Sequence, residues 1–95
     1  MAKQVKSGQF KYPSRKFGGE VYLFSYLTAK QGLAQDNAAD SRKHGLNARV
    51  TSRTIRPKKN PGRTTVVYEV WIRPKPAYTH THQALWKMIT DAEKR

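Results

Sequence analysis

The chain has no cysteine, so neither a disulfide framework nor a thiolate metal site can stabilise it. It is poor in acids: 6 Asp or Glu stand against 19 Lys or Arg, a net charge of +13. It also lacks a long apolar run. Stretches such as Val21-Tyr22-Leu23-Phe24 fall far short of the ~20 residues that span a bilayer. The amino terminus, Met1-Ala2-Lys3-Gln4-Val5-Lys6, carries no apolar core of the kind a secretory signal needs. These absences lead to the expectation of a protein without membrane contact, in the cytoplasm or on the nucleoid.

What is present is charge and aromatics. Ninety-five residues suit one domain with one modest core. Two Trp, five Tyr and three Phe are more large apolar groups than a disordered chain carries. Folding a chain of net charge +13 works against self-repulsion, so the excess is best explained by a polyanionic partner. The segment Ser41–Tyr68 concentrates it, with eight Lys or Arg and no acid.

Residues 1–9 read as a flexible basic tail and residues 10–95 as a single α+β domain. Phe10 to Phe17 has strand character but is broken by Pro13, which confines it to a sheet edge. Gly18-Gly19 is a hairpin dipeptide. Glu20 to Leu27 alternates, with Val21, Leu23 and Leu27 on one face and Tyr22, Phe24 and Tyr26 on the other. Thr28 and Gln31 have capping-box spacing, which predicts a helix over Ala29–Lys43 that Gly45 ends. Its apolar stripe is thin: Leu33, Ala34 and Ala38.

Leu46–Ile55 and Thr64–Arg73 alternate again and flank a basic loop, which predicts an antiparallel hairpin over residues 46–73. A last helix over residues 80–94, capped by Thr79 or Thr81, carries Leu85, Met88 or Ile89, and Ala92 on one stripe with Trp86 beside it. Asp91 and Glu93 oppose its dipole, so its end should fray. The fold class is α+β: a small antiparallel sheet of three to four strands, one helix on a face, in the order (β)-β-α-β-β-α with a C-terminal helix.

Alternation separates two faces. Val21, Leu23, Leu27, Leu46, Ala48, Val50, Val66, Tyr68, Val70 and Ile72 form a core under the first helix. Tyr22, Phe24, Tyr26, Arg49, Arg53, Trp71 and Arg73 form an aromatic–Arg face, a composition suited to stacking bases and reaching phosphates. The alternative is that the last helix, through Leu85, Trp86 and Ile89, covers those aromatics as a second core.

The hairpin loop Arg56-Pro57-Lys58-Lys59-Asn60-Pro61-Gly62-Arg63 presents four cations at a turn shaped by Pro and Gly. Over its last residues, Asn60-Pro61-Gly62-Arg63-Thr64 resembles the tip of the β-arms of the HU/IHF family. The resemblance spans about five residues and does not extend to that family's helical dimer body. It implies an arm in which Pro61 wedges between base steps in the minor groove. Size and charge are also similar to those of small archaeal chromatin proteins, and the strand-helix-strand pattern to that of small basic proteins of archaea and their viruses.

The expected partner is nucleic acid, double-stranded DNA ahead of RNA, with a homodimer open. The residues expected to meet it are Arg49, Arg53, Arg56, Lys58, Lys59, Pro61, Arg63, Arg73 and Trp71. An acidic protein surface is the competing partner. No cofactor, metal site or catalytic residue is expected. His44, His80 and His82 have no paired acid and base at a recognisable spacing, and a small ribonuclease built on them is the least favoured reading.

Overall fold

The structure, a computed structural model, describes residues 13–59 and 62–94. The expected basic tail, Phe10 and Tyr12 of the first strand, and Asn60 and Pro61 of the loop lie outside the described residues. Strands β1 (Ser14–Phe17) and β2 (Glu20–Thr28) are joined by Gly18-Gly19, with φ of 59° and 85°. Positive φ at both central residues is what a right-twisted hairpin demands, and only glycine takes it without strain. Helix α1 (Gln31–Lys43) leads to β3 (Leu46–Ile55) and β4 (Thr65–Pro74). A 3-10 turn at Pro76–Tyr78 then leads to α2 (Gln83–Glu93). The four strands form one antiparallel sheet in the order β1-β2-β4-β3. The order β-β-α-β-β-α is the one expected from the sequence.

Strict alternation along β2 fails at one point. Phe24 pairs with Trp71 and Tyr26 with the next residue, Val70, so Ser25 is extra and forms a β-bulge. Such an insertion exchanges the two faces for every residue after it. Tyr26, expected on the aromatic face, packs against the core instead. Leu27, expected in the core, stands opposite Glu69 and is 45% exposed. Val66 is 44% exposed for another reason. The last rung between β2 and β4 is Thr28 with Tyr68, and Val66 belongs to the ribbon that β3 and β4 continue beyond it.

Both helices pack on the same face. Ala34 and Ala38 of α1 are fully buried against Leu46, Ala48, Val70 and Ile72. Their small side chains let the helix lie close to the sheet, while Leu33 points away and is exposed. Ile89 of α2 is buried against Val21 and Leu23, with Leu85, Trp86, Met88 and Ala92 around it. Leu23 is paired with Ile72, so the two clusters share one side of the sheet, and Leu85 touches both. The C-terminal helix therefore packs on the core side and reaches the aromatic–Arg face only at Arg73.

The helix ends are set by tertiary contacts more than by the expected caps. Thr28 remains in β2, and its hydroxyl accepts the Lys30 amide at 3.1 Å, so Lys30 is the N-cap and α1 starts at Gln31 without a capping box. Thr79 turns its hydroxyl to the Pro76 carbonyl at 3.4 Å rather than capping α2. His82 holds the N-cap position of α2, and its Nε2 lies 2.6 Å from the His44 carbonyl, tying the start of α2 to the end of α1. Glu93 opposes the dipole of α2, yet Arg73 binds it at 2.9 Å and secures the last turn that was expected to fray.

Gly45 ends α1 with φ of 84°. Its Cα faces the Tyr78 ring so closely that a Cβ would overlap ring carbons. Gly45→Ala should cost about 1–3 kcal/mol from the left-handed backbone alone, with the ring clash added. In urea unfolding, the pair Gly45→Ala/Tyr78→Ala should recover the steric part and leave the backbone part.

Candidate nucleic-acid interface

The face opposite the helices is built by register. Arg15 of β1 stands beside Tyr22 of β2; Phe24 of β2, Trp71 of β4 and Arg49 of β3 follow one another across the sheet. No described helix packs here, yet Tyr22 is only 5% exposed and Trp71 8%. Their cover comes from the face's own side chains. Phe17 meets the Tyr22 ring edge-on at 5.3 Å and Trp71 at 6.1 Å, and Phe24 meets Trp71 at 5.7 Å.

Two guanidinium groups complete the cover. That of Arg49 lies 5.2 Å from the Phe17 centroid and 5.7 Å from that of Tyr22. That of Arg15 lies 5.4 Å from Phe17 and 6.0 Å from Trp71. In a flat sheet β1 and β3 would be about 14 Å apart at ~4.8 Å per strand spacing. Arg49 and Phe17 bridge that gap from opposite edges, their side chains lying across β2 and β4. The long aliphatic stem of Arg covers apolar rings while its charged end stays in water, and both arginines are exposed.

A hydrogen-bonded chain runs beside this cluster. The Trp71 indole N–H donates to Thr51 Oγ1 at 2.9 Å, Thr51 donates to Glu69 Oε1 at 3.5 Å, and Arg53 Nε donates to Glu69 Oε2 at 3.1 Å. Among the described residues Glu69 is the one buried charged side chain, and this chain satisfies it. The cations of the hairpin strands are thus not all without a local acid: Arg53 is paired across the sheet. Trp71 is buried under Phe17, Phe24 and Arg15 and presents no open ring face.

Arg73 is committed elsewhere. Its Nη1 donates to the Val21 carbonyl at 3.1 Å and to Glu93 at 2.9 Å, its Nε lies 3.9 Å from Glu20, and its guanidinium sits 5.2 Å from the Trp86 ring. It lines a cavity of about 290 Å³ with Asn47, Pro74 and Trp86, but two carboxylates already satisfy its charge. It joins α2 to the sheet and is not presented to an anion.

The tip cations have the opposite character. Arg56, Lys58, Lys59 and Arg63 are exposed, and among the described residues none of them has an ion pair. They stand beyond the Ile55–Thr65 rung, which itself lies three rungs past the last contact with β2. A short two-stranded arm therefore carries them away from the domain. Of the six acids, Asp36 and Asp40 lie on α1 and Asp91 and Glu93 on α2; Glu20 starts β2 on the aromatic face opposite Phe17, where Arg73 pairs with it, and Glu69 lies on the same face toward the arm.

Sequence reasoning missed Arg15 and Phe17. Their segment was readable only as an interrupted edge strand, although the alternation of Arg15 with Phe17 already put both on one face. The Thr51 bridge generates a stability prediction. Thr51→Val keeps the shape but leaves the buried indole N–H of Trp71 without an acceptor. It should cost about 1–3 kcal/mol in urea unfolding, whereas Thr54→Val, on the exposed ribbon, should cost little. Comparisons with protein-family models, with curated proteins and with solved structures find no match to this chain, so its interface is read from its own geometry.

Proposed function

We propose that this is a small non-enzymatic protein that binds double-stranded DNA through its basic β-hairpin arm, with weak sequence specificity. The observation that carries the reading is the segregation of charge: four cations on a protruding tip with no ion pair among the described residues, and Arg49 behind them on a face whose carboxylates, Glu69 and Glu20, are already paired with Arg53 and Arg73. Phosphates neutralised by Arg56, Lys58, Lys59 and Arg63 release counterions, which gives affinity without sequence information. Pro61, in the tip segment that resembles an HU/IHF arm, is the proposed wedge between base steps.

Duplex DNA is favoured over RNA on shape. An inserted wedge kinks B-form DNA and lets the arm follow its minor groove, whereas A-form RNA has a wide, shallow minor groove and a major groove too deep and narrow to enter. Single strands are disfavoured because the rings they would stack on are covered by Phe17, Arg15 and Arg49. Arg53 contributes less than its neighbours while Glu69 holds it.

Titration of a labelled duplex across salt concentrations tests this. With ~5–8 phosphates contacted, log affinity should fall against log salt with a slope of about −5 to −7. Replacing Lys58, Lys59 and Arg63 together by Ala should flatten the slope by about 3 without changing the urea midpoint. Absence of binding at low salt, or binding indifferent to salt, overturns the reading. Glu69→Gln frees Arg53 while keeping the shape, and should tighten binding and steepen the slope by about 0.9. An unchanged slope removes Arg53 from the interface.

A further inference from the structure

We propose that Arg15 and Arg49, held on the Phe17 ring, form a phosphate clamp on the helix-free face, a second duplex contact separate from the hairpin tip. The inference rests on the DNA-binding reading above and adds to it a site with its own residues. The two guanidinium carbons lie 5.4 and 5.2 Å from the same ring centroid, which keeps them within about 11 Å of each other although their strands are opposite edges of the sheet. Two cations do not gather about one ring for each other's benefit, because like charges repel. The ring offsets part of this by cation–π attraction, but at exposed sites that is worth only about 0.5–1 kcal/mol per pair.

Neither arginine is compensated by an acid. Among the described residues neither has an ion pair, and the face's carboxylates, Glu69 and Glu20, are paired with Arg53 and Arg73. A guanidinium laid on a ring keeps its N–H edge free, and its planar fork matches two phosphate oxygens. Because the ring already fixes each group, less rotamer entropy is lost on binding than for a free Lys. A bridging anion would also remove the repulsion between the two cations. The phosphodiester backbone has the required charge, repeat and oxygen geometry.

The placement gives a footprint. Ile55, at the base of the tip, is six residues along β3 from Arg49, about 20 Å at the ~3.3 Å rise of a strand. That equals roughly six base pairs at 3.4 Å each. Clamp and tip therefore meet phosphates about half a helical turn apart, so one duplex can engage both.

The test measures affinity and salt slope on one duplex for the wild type, Arg15→Ala, Arg49→Ala, Arg15→Lys, Arg49→Lys and Phe17→Leu, with urea unfolding of each. Each Ala variant should weaken binding about tenfold and flatten the slope by about 0.9. The Lys variants should keep the slope and lose several-fold in affinity, because charge remains and the stacked fork is lost. Phe17→Leu should behave like the Lys variants; should it unfold the domain, the Lys variants carry the test. If the wild type binds with the steep slope while Arg15→Ala and Arg49→Ala match it in affinity and slope, the clamp is rejected and the arm reading stands. A wild type that does not bind duplex at low salt sinks the arm reading itself. Preference for a single strand of equal length overturns the clamp, since it would mean the rings, and not the arginines over them, meet the nucleic acid.

Discussion

Ala34 and Ala38 let α1 lie flat on Leu46, Ala48, Val70 and Ile72, and Ile89 anchors α2 beside it on Val21 and Leu23. This one-sided packing is the constraint from which the rest follows. A sheet covered by helices on one face must protect the apolar groups of its other face by its own means. Here that face carries Tyr22, Phe24 and Trp71, whose burial stabilises the fold only if something keeps water off them. Phe17 supplies a ring and Arg15 and Arg49 supply stems, so the cover of the second face is itself cationic. Stability and surface charge are therefore produced by the same side chains.

The remaining charged groups divide by whether an acid reaches them. Arg73 is drawn between Glu20 and Glu93 and works as a fastener for α2; Arg53 is drawn to Glu69 through the β3–β4 register. The tip cations extend past the end of β2 and beyond the reach of any described carboxylate. Self-repulsion is least costly there, because an arm in water separates its charges and is well screened. A protein of this size that needs a strongly positive surface gains by placing it on an arm and over rings, away from the packed core.

Much of this was legible in the chain. Gly18-Gly19 fixed a two-residue hairpin because both positions need positive φ, and Gly45 fixed the end of α1 for the same reason. The alternation in residues 46–55 and 65–74 gave the β3–β4 hairpin nearly residue for residue, because strand period two is a local property. The candidate site was legible in part: the tip cations were read directly, while Arg53, Arg73 and Trp71 looked equally available until their partners were in place. Glu69, Glu20 and Glu93 are far from those residues along the chain, and pairing across a sheet or from a helix is invisible to a window of sequence.

The sequence by itself determined the element order, the charge of the arm and the two turns that glycine alone can make, since each rests on backbone sterics or on formal charge. Only the tertiary structure decided the rest. The extra residue at Ser25 moved Tyr26 into the core and Leu27 out of it, because a bulge is a property of two strands and their register. The choice of face by α2 goes with the burial of Ile89 against Val21 and Leu23, and it left the aromatic face to Phe17, Arg15 and Arg49. The physical reason is that burial is a relation between segments, while propensity belongs to each segment alone.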